Sequence, residues 1–165
     1  MWEQIGVFPG WQCDERLWHA GLSSDGAKCF VAGFEDHVYV VWDVAKQEVV
    51  WRDDGTDGES VILPLKEWLD ASGYVHLPQS PTAERYRIFG LAIHHEKLRS
   101  ATLHQVLSVD PVRGIVEVRD ATSGIAMWSL AFEADSEDWA YASFSDDDSV
   151  IAVIEPYSVT FFGRK

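Results

Sequence analysis

Apolar positions along this chain come in short runs broken by turn residues, which is the rhythm of β-strands. Val38-Tyr39-Val40-Val41-Trp42 and Glu48-Val49-Val50-Trp51 flank Asp43–Gln47, a connection short enough for a hairpin. Ile115-Val116-Glu117-Val118-Arg119 and Ile125-Ala126-Met127-Trp128-Ser129-Leu130 flank Asp120–Gly124 in the same way. In the first of that pair Ile115, Glu117 and Arg119 share one face and Val116 and Val118 the other. Gly124 closes its turn where a positive φ is cheap. One stretch departs from the pattern. Pro64–Gly73 has Pro early, Gly last, and Leu65, Trp68 and Leu69 at i, i+3 and i+4, which predicts a short helical insertion. Leu77–Thr82, with two prolines, reads as a loop, and Tyr86–Ile93 returns to buried strand. No linker is long enough to divide the chain, so residues 1–165 are expected to form a single domain.

The hairpins repeat. Placing Asp43 on Asp120, a separation of 77, also places Trp51 on Trp128. Leu22-Ser23-Ser24-Asp25-Gly26 resembles Phe144-Ser145-Asp146-Asp147-Asp148 at a separation of 122, and an apolar strand follows each. Both separations fit a repeat of about 40 residues.

On these residues the chain resembles a β-propeller of the WD40 or quinoprotein-like type. Val38–Trp51 and Ile115–Trp128 resemble the third strand, turn and fourth strand of a blade, with Arg119-Asp120 in place of Trp-Asp in the second. Trp139–Asp148 resembles the blade-opening strand and its "F-S-x-D-G" turn. About half the chain is covered. No Gly-His dipeptide precedes these strands, so the family's His–Asp network does not carry over, and Asp148 stands where Gly is usual. The resemblance implies an all-β, small or partial propeller of about four antiparallel blades. A β-sandwich with similar hairpins is the alternative. A partial ring would leave open sheet edges that pairing can cover, which makes a homodimer one way to close it.

Composition agrees with a β core: 47% of the 165 residues are apolar and eight are Trp. The formal net charge of −14 changes the picture most. Phosphate backbones and anionic membranes repel such a surface, so no nucleic-acid or membrane partner is expected. A basic protein suits it. No Lys or Arg occurs from Asp120 to Gly163, a span holding Glu133, Asp135, Glu137, Asp138, Asp146, Asp147 and Asp148. A second acidic group is Asp53, Asp54, Asp57 and Glu59. In the repeat reading both fall in loops, where a rigid scaffold presents binding residues. The expected partner-binding set is therefore Asp53, Asp54, Asp57, Glu133, Asp135, Glu137, Asp138, Asp146, Asp147 and Asp148, with Trp139 as a candidate aromatic anchor beside Asp138.

Candidate chemistry is sparse. No phosphate-binding loop, dinucleotide fingerprint, nucleophile elbow or zinc-protease motif occurs. Cys13 and Cys29 form no CxxC pair, and Cys29 lies in an apolar run. The absence of a signal-like start, of a membrane-length apolar run and of any Asn points to a reducing, bacterial cytoplasm. No cofactor is expected. The leading expectation is a non-catalytic module whose acidic loops bind a basic protein, for example an inhibitor or immunity protein that neutralises a toxin. The alternative is a small-molecule- or metal-binding enzyme with a site near His94, His95 and His104. His94 and His95, being adjacent, would point to opposite faces of a strand.

Overall fold

Residues 150 to 154 alternate their side chains between two cores, and that alternation organises the molecule. The computed structural model describes residues 1–13, 16–33, 38–53, 65, 67–77, 84–132 and 139–165. In chain order the strands are β1 (Trp2–Pro9), β2 (Leu17–Ser23), β3 (Lys28–Gly33), β4 (Tyr39–Asp43), β5 (Glu48–Asp53), β6 (Tyr74–His76) and β7 (Arg85–Gly90). They continue with β8 (Gln105–Asp110), β9 (Ile115–Asp120), β10 (Ala126–Ala131), β11 (Tyr141–Phe144), β12 (Val150–Glu155) and β13 (Ser158–Arg164). A 3-10 turn, Gly10–Cys13, follows β1.

Every strand pairing is antiparallel. The strands form three sheets, in the orders β1-β13-β12-β11, β10-β9-β8 and β5-β4-β3-β2-β7-β6. The four-stranded sheet lies between the others. Val150, Ala152 and Ile154 on one face of β12 pack with Leu22, Val31 and Trp42 of the six-stranded sheet. Ile151 and Val153 on the other face pack with Leu107, Val116 and Val118 of the three-stranded sheet. A third core lies on the far side of the six-stranded sheet, around Phe30, Tyr39, Val41, Tyr86 and Ile88. β12 is apolar at consecutive positions because both its faces are covered. β10, at a sheet edge, is largely exposed.

The all-β expectation holds, with differences in detail. Among the described residues no sheet closes on itself, and β2 pairs with both β3 and β7. The helical insertion expected over 64–73 is confined to its start. Pro64 and Lys66 lie outside the described residues; Leu65 and Glu67 are helical, and from Trp68 the chain turns into a short hairpin. Leu69 bridges Val75, the His76 N–H donates to the Trp68 carbonyl, and Asp70 accepts from Ser72 and Tyr74. Gly73 at φ 90° completes the reversal. The apolar trio still faces inward, with Leu65 buried and Trp68 5.6 Å from the Tyr39 ring. Residues 78–82 of the expected loop lie outside the described residues. β7 ends at Gly90, short of the expected Ile93. No helix among the described residues is long and apolar enough to cross a membrane.

The repeat is visible in the register. Val41 pairs with Trp51, and Val118 with Trp128, each beside a bulge at the preceding residue of the outer strand. Asp43 Oδ1 accepts the Lys46 N–H, and Asp120 Oδ1 accepts those of Thr122 and Ser123.

Candidate binding site: an acidic joint and an aromatic cleft

Ser23 and Ser145 build the same turn twice. Each hydroxyl donates to the carboxylate two residues on, at 2.9 Å to Asp25 and 2.7 Å to Asp147. Each accepts the N–H five residues on, from Lys28 and Val150, at 3.0 Å in both cases. Gly26 and Asp148 then take a left-handed backbone, with φ of 70° and 62°. The turns lean on one another: Ser24 donates to Asp146, and the Asp147 N–H donates to the Ser24 carbonyl. A related turn follows Leu98, where the Ser100 hydroxyl accepts the N–H groups of Leu103 and Gln105.

The three consecutive aspartates reach three different places. Asp146 accepts Arg87 Nε at 2.9 Å and the Tyr74 hydroxyl at 2.8 Å, tying β6 and β7 to the β11–β12 turn. Arg87 also donates to the Tyr74 hydroxyl and lies over its ring. Asp147 stays within its own turn, accepting from Ser145 and Ser149. Asp148 is fully buried; it accepts Lys97 Nζ at 2.8 Å and the Thr102 hydroxyl at 2.9 Å, together with the N–H groups of Ala101 and Thr102. Burial pushes all three carboxyls up, but their hydrogen bonds outweigh it and hold them below the usual carboxylate range. This acidic run is thus a joint between the sheets, and the carboxylate of Asp148 faces inward. An aspartate tolerates the left-handed position that Gly26 fills in the sister turn, and here it also gains four hydrogen bonds.

Asp53 ends β5 half-buried. Asp54, Asp57, Glu133, Asp135, Glu137 and Asp138 lie outside the described residues. The histidines are dispersed. The His94 ring lies 5.2 Å from that of Tyr141, His95 packs over Gly73, and His104 occupies a turn at φ 53°. Among the described residues no group of three or more His, Cys, Asp or Glu is placed to hold a metal.

A cleft of about 270 Å³ opens between β8 and β11, lined by Glu96, Leu98, Val109, Pro111 and residues 139–142. Residues 96–100 run between the two strands: Phe144 N–H donates to the Lys97 carbonyl, and Leu107 N–H to that of Leu98. Extended backbone sends Lys97 to Asp148 and leaves Glu96 and Leu98 lining the cleft. The ring of Trp139, two residues ahead of β11, lies 5.6 Å from that of Tyr141 on the strand. Glu96 Oε2 is buried with no hydrogen-bond partner. Burial, and then the Glu96 charge, push the Tyr141 hydroxyl up.

Trp139 was legible as a candidate from its place after the acidic run. Glu96, Lys97 and Ser100 were not, because distant strands make their surroundings. No protein-family model matches this chain, and no curated protein matches it significantly.

Proposed function

We propose that this chain is a binding module that captures a basic protein, with its sheets serving as blades of a small propeller-like scaffold. The observation that carries this reading is the imbalance of charge. The chain has 27 acidic and 13 basic side chains, and Lys28, Arg87, Lys97, Arg119 and Lys165 pair with carboxylates inside the molecule. Those pairs remove cations and acids one for one, so the surplus of carboxylates is left to set the external field. Such a field speeds encounter with a basic partner and repels nucleic acid. A toxin whose substrate-binding face is basic is the concrete partner class, with the module acting as its inhibitor or immunity protein.

The test is capture at low salt, with the retained protein identified and its affinity measured against wild type and the charge reversals Glu137→Lys and Asp138→Lys. A basic partner whose affinity falls with added salt and falls further in the reversals supports the reading. A partner bound equally by all forms and indifferent to salt overturns it.

A further inference from the structure

We propose that the cleft between β8 and β11 is the socket for one cationic side chain of the partner, an arginine by preference. This deepens the reading above and rests on it.

Three features of the cleft define the occupant. First, its size. At about 270 Å³ it falls just under the roughly 300–1,000 Å³ typical of small-molecule sites, which suits one side chain entering from a partner's surface. Second, its walls. Trp139 and Tyr141 present two tilted rings 5.6 Å apart, and Leu98, Val109 and Pro111 supply apolar surface for an alkyl stem. A cation over such rings is attracted by their quadrupoles, and a guanidinium also stacks flat on them. Third, its charge. Among the described residues Glu96 is the one carboxylate in the lining, and neither Lys nor Arg lines the cleft.

The state of Glu96 decides between a cation and a merely apolar guest. A carboxylate oxygen shut off from water without a donor is costly to the fold. Its neighbour Lys97 cannot supply one, since its ammonium is held by Asp148 and by the carbonyls of Ser145 and Asp146. A guanidinium entering along the rings would bring N–H donors and a compensating charge. The acidic segment 133–138 leads in sequence directly into Trp139, so approaching cations are drawn toward the same end of β11.

The probe is acetyl-Gly-Arg-Gly-amide, with the citrulline tripeptide as a neutral, nearly isosteric control. Binding is followed by NMR at the Trp139 indole N–H, assigned by its loss in Trp139→Phe. The expected result is a saturable shift of that signal by the arginine peptide, no shift by the citrulline peptide, and affinity lowered about tenfold in Glu96→Gln. Glu96→Gln keeps the side chain's shape, and an unchanged circular dichroism spectrum confirms its fold. An unmoved Trp139 signal, equal binding of citrulline, or equal affinity in Glu96→Gln overturns the socket. The two readings fail separately. Salt-sensitive binding of an octa-arginine peptide that leaves Trp139 unmoved removes the socket and keeps the acidic module, whereas no binding of octa-arginine removes both.

Discussion

Gln47 and Gly124 hold the same left-handed backbone position in two hairpins, 77 residues apart, with φ of 56° and 73°. Their surroundings differ. Gln47 Oε1 accepts the Val7 N–H, so the side chain ties the β4–β5 turn to β1. A Cβ added at Gly124 would meet nothing within 4 Å. Gly124→Ala therefore isolates the backbone cost of the position, about 1 kcal/mol, with no steric part. Gly124→Asn is expected to cost less, because Asn visits this region more readily. Urea unfolding of the two variants checks the order.

Asp148 is the most heavily committed carboxylate of the joint. Asp148→Ala removes the carboxylate partner of the Lys97 ammonium and the acceptor of two N–H groups, and is expected to destabilise the fold by about 3 kcal/mol. Asp148→Gly relieves the left-handed backbone while losing the same bonds, and should lie between Asp148→Ala and wild type. Denaturant midpoints rank the three.

The same carboxyl governs acid stability. Asp146, Asp147 and Asp148 have folded pKa values below their unfolded ones. Their contribution is therefore complete above the unfolded value of about 3.9 and is lost as pH falls through the folded values. Tm should stay level near neutrality and drop below about pH 4. Asp148→Asn should lower Tm throughout and flatten the drop. A scan of Tm against pH reads both.

Tyr74, Arg87 and Asp146 form a closed triangle of hydrogen bonds. Removing the Tyr74 hydroxyl in Tyr74→Phe is expected to cost about 1 kcal/mol. Because Arg87 and Tyr74 also touch each other, the effect should not add to that of Arg87→Met, and a double-mutant cycle should give a coupling of at least about 0.5 kcal/mol.

Cys13 and Cys29 are both buried and form no disulfide, and burial pushes the Cys29 thiol up to about 12. Native protein should leave Cys29 unmodified by a thiol reagent at neutral pH, with reaction appearing only on unfolding. Mass spectrometry of labelled protein with and without denaturant gives the answer.

Much of this fold is written locally. Val41 opposite Trp51 and Val118 opposite Trp128 follow from a shared hairpin pattern, and the Ser23 and Ser145 turns from a shared Ser-x-Asp motif. The Ser100 turn escaped notice because Thr102 stands where the other turns have Asp, which leaves only the serine to mark it. The helix expected at 64–73 ends after Glu67, because i, i+3, i+4 spacing also serves a turn that buries Leu65 and leans Trp68 on Tyr39. The acidic run 146–148 read as a partner-binding loop, since nothing near it in sequence announces Arg87, Tyr74 or Lys97. The cleft was equally invisible, because Glu96 and Trp139 line it from segments far apart in sequence.

The pairing of β1 with β13 sets an order of events. Glu3 and Lys165 form an ion pair across 162 positions, and Trp2, opposite Arg164, also donates to Gln105. The earliest strand in the chain can find its neighbour only after β13 has formed, so β1 waits while the hairpins behind it assemble from local contacts. Its side of β13 is an open seam until then, and a β1 arriving from a second molecule would fit that seam as well as the chain's own.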